Sequence, residues 1–156
     1  MLPHLRRSQR KLNLQEQSDM PKQKDRIIID TNLWLSFLIT KNESALDKIF
    51  SKDSVLLLYS QELIDEFITV AKRPKFTKYF STDDLQSLLL SMSNRAIFID
   101  VTSFVGICRD PKDNFLLALS KDGKASHLIT GDKDLLELKK FGKTRILTIS
   151  EYLERK

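Results

Sequence analysis

The sequence is poor in cysteine and histidine, two residue types that commonly bind zinc or act in catalysis. Its 156 residues include one cysteine, Cys108, and two histidines, His4 and His127. A single cysteine excludes an intramolecular disulfide, and nothing suggests a zinc site. His4 lies near the amino terminus, and His127 lies in an apolar run where a packed residue is expected. Histidine-based catalysis is therefore not favoured.

A strong charge of one sign is also lacking outside the first 24 residues. Residues 1–24 carry six basic and two acidic side chains, which account for +4 of the total net charge of +5. The remaining chain is nearly neutral, so its charge is weak evidence for a polyanionic partner. Residues 1–24 contain no apolar stretch long enough for a signal peptide or membrane helix. We expect a mobile polar tail on a cytoplasmic protein without membrane contact, and Met20 is an alternative start to Met1.

Residues 25–156 are predicted to form one α/β domain. A chain of this length with 41% hydrophobic residues can build one sizeable core. Short apolar runs alternate with segments of helical periodicity. This alternation predicts three layers, with a central, mostly parallel five-stranded sheet flanked by helices. The predicted strands are 26–29, 55–59, 96–101, 127–130 and 145–149, and further helices are predicted near 47–50, 85–92 and 135–138.

Four aspartates surround an apolar helix and an apolar strand within residues 109–136. Pro111 in the first turn and Gly123 after the end define the helix. The strand at 127–130 follows, and residues leaving it emerge at the carboxyl edge of the sheet, where open α/β sheets place their sites. This spacing indicates a carboxylate site for metal ions. The four aspartates are Asp110, Asp113, Asp132 and Asp134.

Two other segments contribute acidic candidates. Asp30 ends the first predicted strand, although capping of the next helix is an equally good interpretation for the Asp30-Thr31-Asn32 segment. Ser60 is predicted to cap a helix on which Glu62 and Glu66 lie four residues apart, away from the apolar face. A solvated position is favoured for Glu62, as it is for Asp65.

The chain resembles the PIN-domain family in four successive blocks. They read IIIDTNLWLSFL, SQELIDEFITVAKRPKF, CRDPKDNFLLALSKDGKASHLITGDKDLL and RILTISEYL, and they span residues 25–154 in order. The resemblance implies an α/β ribonuclease fold whose carboxylates bind one or two divalent ions and cleave single-stranded RNA. It also implies a homodimer and, because it is closest to PIN toxins, the toxin of a toxin–antitoxin pair with an antitoxin protein as partner.

The resemblance assigns site residues position by position. The first-strand aspartate is Asp30, the helix glutamate is Glu66 with Glu62 as the fallback, and the later aspartates are Asp113 and Asp132. All four are assigned both catalytic and metal-binding roles. Asp134 is a metal ligand, an outer-sphere partner or a helix cap, and Asp110 is a turn residue. Asn32 and Thr130 are expected to hold the carboxylates through hydrogen bonds.

Chemistry supports a metal at such a cluster. Carboxylates brought within a few ångströms repel each other and partly protonate unless a cation neutralises them. Hard oxygen ligands favour Mg²⁺ or Mn²⁺. The ion lowers the pKa of a bound water and polarises the scissile phosphate, which predicts in-line attack by hydroxide.

RNA contacts are expected from basic residues near the acidic motifs. Basic and aromatic residues interleave in the segment KRPKFTKYF, a pattern suited to phosphate contact and base stacking, although a solvated helix end explains it equally well. Other basic residues adjoin the acidic blocks directly. The candidates are Arg73, Lys75, Arg109, Lys112 and Lys133.

Two alternatives to a ribonuclease remain at this stage. One is a non-hydrolytic module that keeps the fold and acts through RNA or protein contacts; the full set of acidic residues argues against it. The other is a phosphotransfer domain with an aspartate after its first strand. A phosphatase of that type would have a second aspartate where this chain has Asn32, and a receiver would have paired acids where it has Ile28-Ile29. Both phosphotransfer interpretations are therefore disfavoured.

Overall fold

The computed structural model describes residues 24–40, 43–51, 55–79, 81, 83–84, 86–87 and 96–155. The proposed basic tail therefore lies outside the described residues except for Lys24, as do Met1 and Met20. Most of the helix predicted at 85–92 also lies outside them. Among the described helices, none is long and apolar enough to span a membrane.

The described residues form six strands in one sheet, in the order β3-β2-β1-β4-β6-β5. Every neighbouring pair is parallel except β5 and β6, which are antiparallel. The predicted α/β class and the mostly parallel sheet are therefore confirmed. The strands are β1 (Asp25–Ile29), β2 (Val55–Tyr59), β3 (Ala96–Phe98), β4 (His127–Ile129), β5 (Lys140–Phe141) and β6 (Thr144–Leu147).

Helices cover both faces of this sheet. Ser60 caps α3 by accepting a hydrogen bond from the backbone N–H of Leu63, as its position in the sequence predicts. Pro111 occupies the first turn of α5, where a missing N–H costs nothing. The described helices are α1 (Thr31–Thr40), α2 (Glu43–Phe50), α3 (Gln61–Ala71), α4 (Pro74–Thr77), α5 (Pro111–Asp122), α6 (Lys133–Leu138) and α7 (Ile149–Glu154).

The central strand β1 is buried on both faces. Ile27 and Ile29 belong to a core cluster with residues of α1, α2, α3 and α7, whereas Ile28 belongs to a second cluster with residues of α5 and α6. Successive side chains of a strand point to opposite faces, so one isoleucine run contributes to both cores. This explains why β1 is continuously apolar, as expected for a strand covered by helices on both sides.

The sheet has one strand more than the five predicted. Lys139 ends α6 with a positive φ of 60°, and Gly142 takes φ +59° in the turn between β5 and β6. The two-residue strand β5 then pairs antiparallel with β6 at the edge of the sheet. A segment this short has no periodicity that a sequence could reveal.

Candidate metal centre

The acidic residues gather where the strand order reverses. From β1 the chain proceeds through β2 to β3 on one side, whereas β4 lies on the other side of β1. Ile29 is paired with Ile129, so the residues after β1 and β4 leave the sheet side by side. In open α/β sheets, the crevice at the carboxyl ends of strands flanking such a reversal is the usual ligand site.

Asp30 and Thr130 meet directly in this crevice. Both are buried, with Asp30 2% exposed. The Thr130 hydroxyl donates a 2.8 Å hydrogen bond to Asp30 Oδ2 and accepts one of 3.0 Å from the backbone N–H of Asp132. One hydroxyl therefore links the ends of β1 and β4. Asn32 reaches Asp30 Oδ1 through its backbone N–H at 3.4 Å, while its side chain is exposed.

Asp113 enters the crevice from the first turn of α5. Its residue surface is 1% exposed, and its Oδ1 atom is buried without a hydrogen-bond partner. Asp110 caps this helix by accepting a 3.0 Å bond from the Lys112 N–H, which fixes the start of the turn that presents Asp113. A buried carboxylate oxygen without a partner is costly unless a ligand satisfies it.

Three carboxylates lie close enough to share one cation. Oxygen atoms of Asp113, Asp132 and Asp134 are all within 4.8 Å of one another. Asp132 caps α6, with its Oδ1 accepting bonds from the N–H groups of Asp134 at 2.8 Å and Leu135 at 3.3 Å. Since Asp132 is the cap, capping is excluded as the role of Asp134. Asp30 borders this group without being one of its three members.

The electrostatics of the crevice act most strongly on Asp113. Burial, and after it the negative charges of Asp132, Asp110 and Asp30, together raise the pKa of Asp113 to about 6, although the charge of Lys112 partly opposes them. Burial and neighbouring like charges both disfavour the ionised form. A divalent cation would relieve both effects. The buried, unpartnered oxygen and the oxygen-only donor set therefore fit Mg²⁺ or Mn²⁺.

Lys112 is a cation inside the acidic crevice. Its Nζ lies 3.5 Å from Asp30 Oδ1, and its side chain is only 19% exposed. Lys112 also lines a small cavity together with Glu62, Glu66 and Thr31. Sequence reasoning placed Lys112 among surface phosphate contacts and did not anticipate its ion pair with Asp30.

Both candidate glutamates face this cavity from α3. Glu66 is half-buried and Glu62 is exposed, and neither belongs to the three-carboxylate group. The choice between them stays a prediction. Thr31 is a residue that sequence reasoning considered only as a cap: it is fully buried, and its hydroxyl oxygen has no hydrogen-bond partner. The sequence signal that could have pointed to Thr31 as a residue of the site is its position directly after the aspartate that ends β1.

The candidate RNA contacts divide into two locations. Arg109 and Lys133 are exposed beside the acidic group, with Arg109 3.8 Å from Asp134. Arg73 and Lys75 follow the far end of α3, whose 11 residues rise about 16 Å. These two exposed residues lie beyond the end of α3 that is opposite to Ser60 and Glu62. His127 is buried against Ser126 and Tyr152, which confirms the expected packed position.

Similarity to known proteins agrees with this geometry. The family model described as the PIN domain matches residues 26–134, which include β1 from its second residue onward and every carboxylate of the crevice. The chain belongs to the PIN-domain family. It is also 32% identical over 124 residues to the uncharacterized protein MJ1680 of Methanocaldococcus jannaschii, covering 77% of this chain and 79% of that protein. No solved structure matches the chain.

Membership of the family indicates the general type of chemistry that occurs at the crevice. PIN domains are generally nucleases and typically bind divalent metals, and this PIN domain has the acidic cluster such binding needs. Asp30 and Thr130 from the strand ends and Asp113 from α5 converge there. The site thus combines residues from three segments that are distant in sequence.

The raised pKa of Asp113 predicts a pH-dependent stability of the metal-free protein. The folded state keeps the proton up to about pH 6, while the unfolded chain loses it near pH 4. Between these values the folded state binds more protons, so the Asp113 contribution to the free energy of unfolding falls as pH rises. Relative to wild type, Asp113→Asn should gain about 1–2 kcal/mol from pH 4 to pH 6, or about 2–8 °C in Tm.

Thermal unfolding in EDTA across this pH range checks the expectation. Asp65→Asn is the matched control, because Asp65 is an exposed carboxylate on α3 whose contact is a hydrogen bond from Gln61. The control should follow the wild-type pH profile. Parallel profiles for wild type and Asp113→Asn would assign the titration to another group.

Proposed function

We propose that this PIN domain is a metal-dependent endoribonuclease that hydrolyses single-stranded RNA. The observation that carries the proposal is the buried Oδ1 of Asp113, which lacks a hydrogen-bond partner and lies among the carboxylates of Asp132 and Asp134. A structural carboxylate in this position would be expected to have a partner. A cation-binding carboxylate gains its partner when the ion binds.

The residues of the crevice would have different roles in binding the ion. Asp113 and Asp132 would supply oxygen ligands from two helix starts, and Asp134 from the first turn of α6. Thr130 fixes the orientation of Asp30 by its 2.8 Å hydrogen bond. Such supporting bonds orient ligands and tune a metal site. A bound Mg²⁺ or Mn²⁺ would supply a water of lowered pKa and polarise the scissile phosphate.

Lys112 adds a positive charge at the same place. Its ammonium group neutralises Asp30 at 3.5 Å and lies next to the glutamates that line the cavity. A flexible lysine can exchange a carboxylate partner for a phosphate oxygen. Lys112 would therefore help to bind the scissile phosphate, while Arg109 and Lys133 would contact flanking phosphates.

His127 takes no part in this mechanism. Burial lowers the pKa of His127, and the ring packs edge-on against Tyr152. His127 is also part of β4, two strand positions before Ile129, and so precedes the carboxyl end where the acidic residues gather. The proposed hydrolysis therefore relies on carboxylates and metal.

The experiment is cleavage of an end-labelled single-stranded RNA by the wild-type protein in Mn²⁺, Mg²⁺ or EDTA. Internal cuts that require a divalent ion are expected. Asp65→Asn, an exposed carboxylate outside the crevice, should cut like wild type. Cuts that persist at full rate in EDTA would contradict the metal mechanism. Absence of cuts with a folded, metal-binding protein would favour the non-hydrolytic alternative.

We further propose that the ribonuclease acts as the toxin of a toxin–antitoxin pair, with an antitoxin protein as its partner. Its support is the resemblance to PIN toxins in the four sequence blocks. Induced expression should then slow the growth of the host cell, and Asp30→Asn should remove the effect. Equal growth defects with wild type and Asp30→Asn would separate any toxicity from RNA hydrolysis.

A further inference from the structure

The loop between β3 and α5, residues 99–110, holds an aromatic ring in solvent. Phe104 is 91% exposed, the most exposed of the large apolar side chains in the described part of the chain. Two exposed apolar residues near each other in sequence, Phe104 and Ile107, are unusual on a surface without a partner. The loop therefore offers an apolar surface to a ligand.

This loop is fixed to α5 at two places. Asp122 accepts bonds from the N–H groups of Thr102 at 2.7 Å and Ser103 at 2.8 Å, and also from the Ser103 hydroxyl. Asn114 accepts a 2.8 Å bond from the Cys108 N–H and donates one of 3.1 Å to the Cys108 carbonyl. The exposed ring is thus presented by a backbone that is hydrogen-bonded on both sides of it.

A groove runs between this loop and α5. Its volume is about 360 Å³, within the ~300–1,000 Å³ range of small-molecule sites. Phe104 contributes one wall and Phe115, which is 51% exposed, contributes another. The remaining apolar lining comes from the loop and from α5, and Glu62 is the one charged residue of the lining within the part of the chain that the structure describes.

The groove adjoins the small cavity beside the acidic crevice, because the two share lining residues. Phe115 and Glu62 line both the groove and the small cavity that contains Glu66 and Lys112. Lys112 in turn lies 3.5 Å from Asp30. A ligand in the groove would therefore extend towards the metal centre past the Phe115 ring.

The chemistry of the lining selects the part of a nucleic acid that fits. Among the described residues, no lysine or arginine lines the groove, and Glu62 would repel a phosphate. Aromatic rings instead offer stacking surfaces to an unpaired base, and the Glu62 carboxylate can accept hydrogen bonds from exocyclic amino groups. The phosphates would then follow the cationic side of the crevice, near Lys112, while a base occupies the apolar side.

We propose that the Phe104–Phe115 groove is a base-binding subsite, which stacks an unpaired RNA base next to the scissile phosphate. This inference rests on the proposed ribonuclease function. It specifies how single-stranded RNA would be recognised, because a subsite of this kind requires a base that is free of pairing. Duplex RNA keeps its bases stacked internally and would not fill the groove.

The test measures binding separately from cleavage. Fluorescence anisotropy of a short single-stranded RNA is measured with the Asp113→Asn protein, so that the RNA stays intact, alone and combined with Phe104→Leu or Phe115→Leu. Each leucine variant should lose about 5- to 150-fold in affinity, the range for removal of one base–aromatic stack. Phe98→Leu is the matched control, because Phe98 is also half-exposed but does not line the groove.

An RNA with one abasic nucleotide supplies the second half of the test. The abasic nucleotide is placed at each position of the RNA in turn. The position at which it weakens binding by the same factor as Phe115→Leu identifies the stacked base. With that RNA, the leucine variants should show no further loss of affinity. A 2-aminopurine at that position should be quenched on binding to the protein with Phe115 and less so with Phe115→Leu. Thermal unfolding verifies that each variant is folded.

The outcomes separate this proposal from the ribonuclease proposal. Phe-dependent binding without metal-dependent cleavage by wild type would support the subsite and overturn the nuclease. The subsite alone would be overturned if wild type cleaves RNA, both leucine substitutions leave binding unchanged in the Asp113→Asn protein, and both leave cutting unchanged when made in the wild-type protein. The groove would then be left to a protein segment. Failure to bind single-stranded RNA at all would overturn both.

Discussion

The Asp113→Asn substitution is expected to lower metal-dependent RNA cleavage by about 10³-fold. It removes a ligand charge at the buried centre, and the electrostatic stabilisation supplied by a catalytic ion is worth several kcal/mol. Asp113 is 1% exposed and is the most deeply buried of the three clustered carboxylates. Asp30→Asn should have an effect of similar size, because Asp30 is the buried acid at the end of β1.

Graded variants distinguish the roles around these two residues. Thr130→Val keeps the shape but loses the 2.8 Å bond to Asp30, so a loss of about 10- to 100-fold is expected. Glu66→Gln should reduce cleavage more than Glu62→Gln if the helix glutamate is assigned correctly. The rates are measured as kcat/KM on one RNA, with Asp65→Asn as the control. Full activity of Asp113→Asn would show that the site is assigned incorrectly.

Binding of Mn²⁺ should raise the thermal transition of the wild-type protein by about 5–11 °C. An ion present at about 100 times its Kd stabilises the folded state by about 2.7 kcal/mol, and 1 kcal/mol corresponds to about 2–4 °C for a domain of this size. Asp113→Asn and Asp132→Asn should lose most of this increase, because each removes one of the three clustered carboxylates. Differential scanning calorimetry with Mn²⁺ or EDTA gives the values.

Lys112→Met should enlarge the increase in Tm that Mn²⁺ produces, whereas Asp113→Asn and Asp132→Asn should reduce that increase. The ammonium group competes with a divalent ion for the negative charge of Asp30 at 3.5 Å. Without it, the metal-free protein loses a partner of a buried carboxylate and becomes less stable. At about pH 8, above the pKa of about 6 of Asp113, the increase in Tm on addition of Mn²⁺ should therefore be larger than in wild type. An unchanged increase would place the ion away from Lys112 and Asp30.

The sequence predicted elements best where local pattern and burial coincide. The apolar run at 26–29 became β1, because a continuous isoleucine run fits a strand that is covered on both faces. Pro111 and Gly123 bracket α5 as predicted. Strand β5 was not predicted, since its two residues follow a positive-φ turn and pair only through the fold.

The sequence indicated which acidic residues to consider for the site but not how they are arranged in space. Asp30, Asp113 and Asp132 all lie at the crevice. Their grouping differs in detail, because Asp134 joins Asp113 and Asp132 whereas Asp30 pairs with Lys112 and Thr130. Sequence gives no distance between residues on different elements, so these partners could not be chosen in advance.

The sequence by itself determined the alternation of strands and helices, the family and the positions of the acidic motifs. Each of these follows from local periodicity, capping and motif order, which are properties of neighbouring residues. Tertiary structure alone decided that β4 lies beside β1, that Lys112 faces Asp30, and that the Asp113 oxygen is buried without a partner. These contacts join residues far apart in the chain, and they depend on how helices and strands pack against one another. The chemistry of this PIN domain therefore depends on contacts that no local pattern specifies.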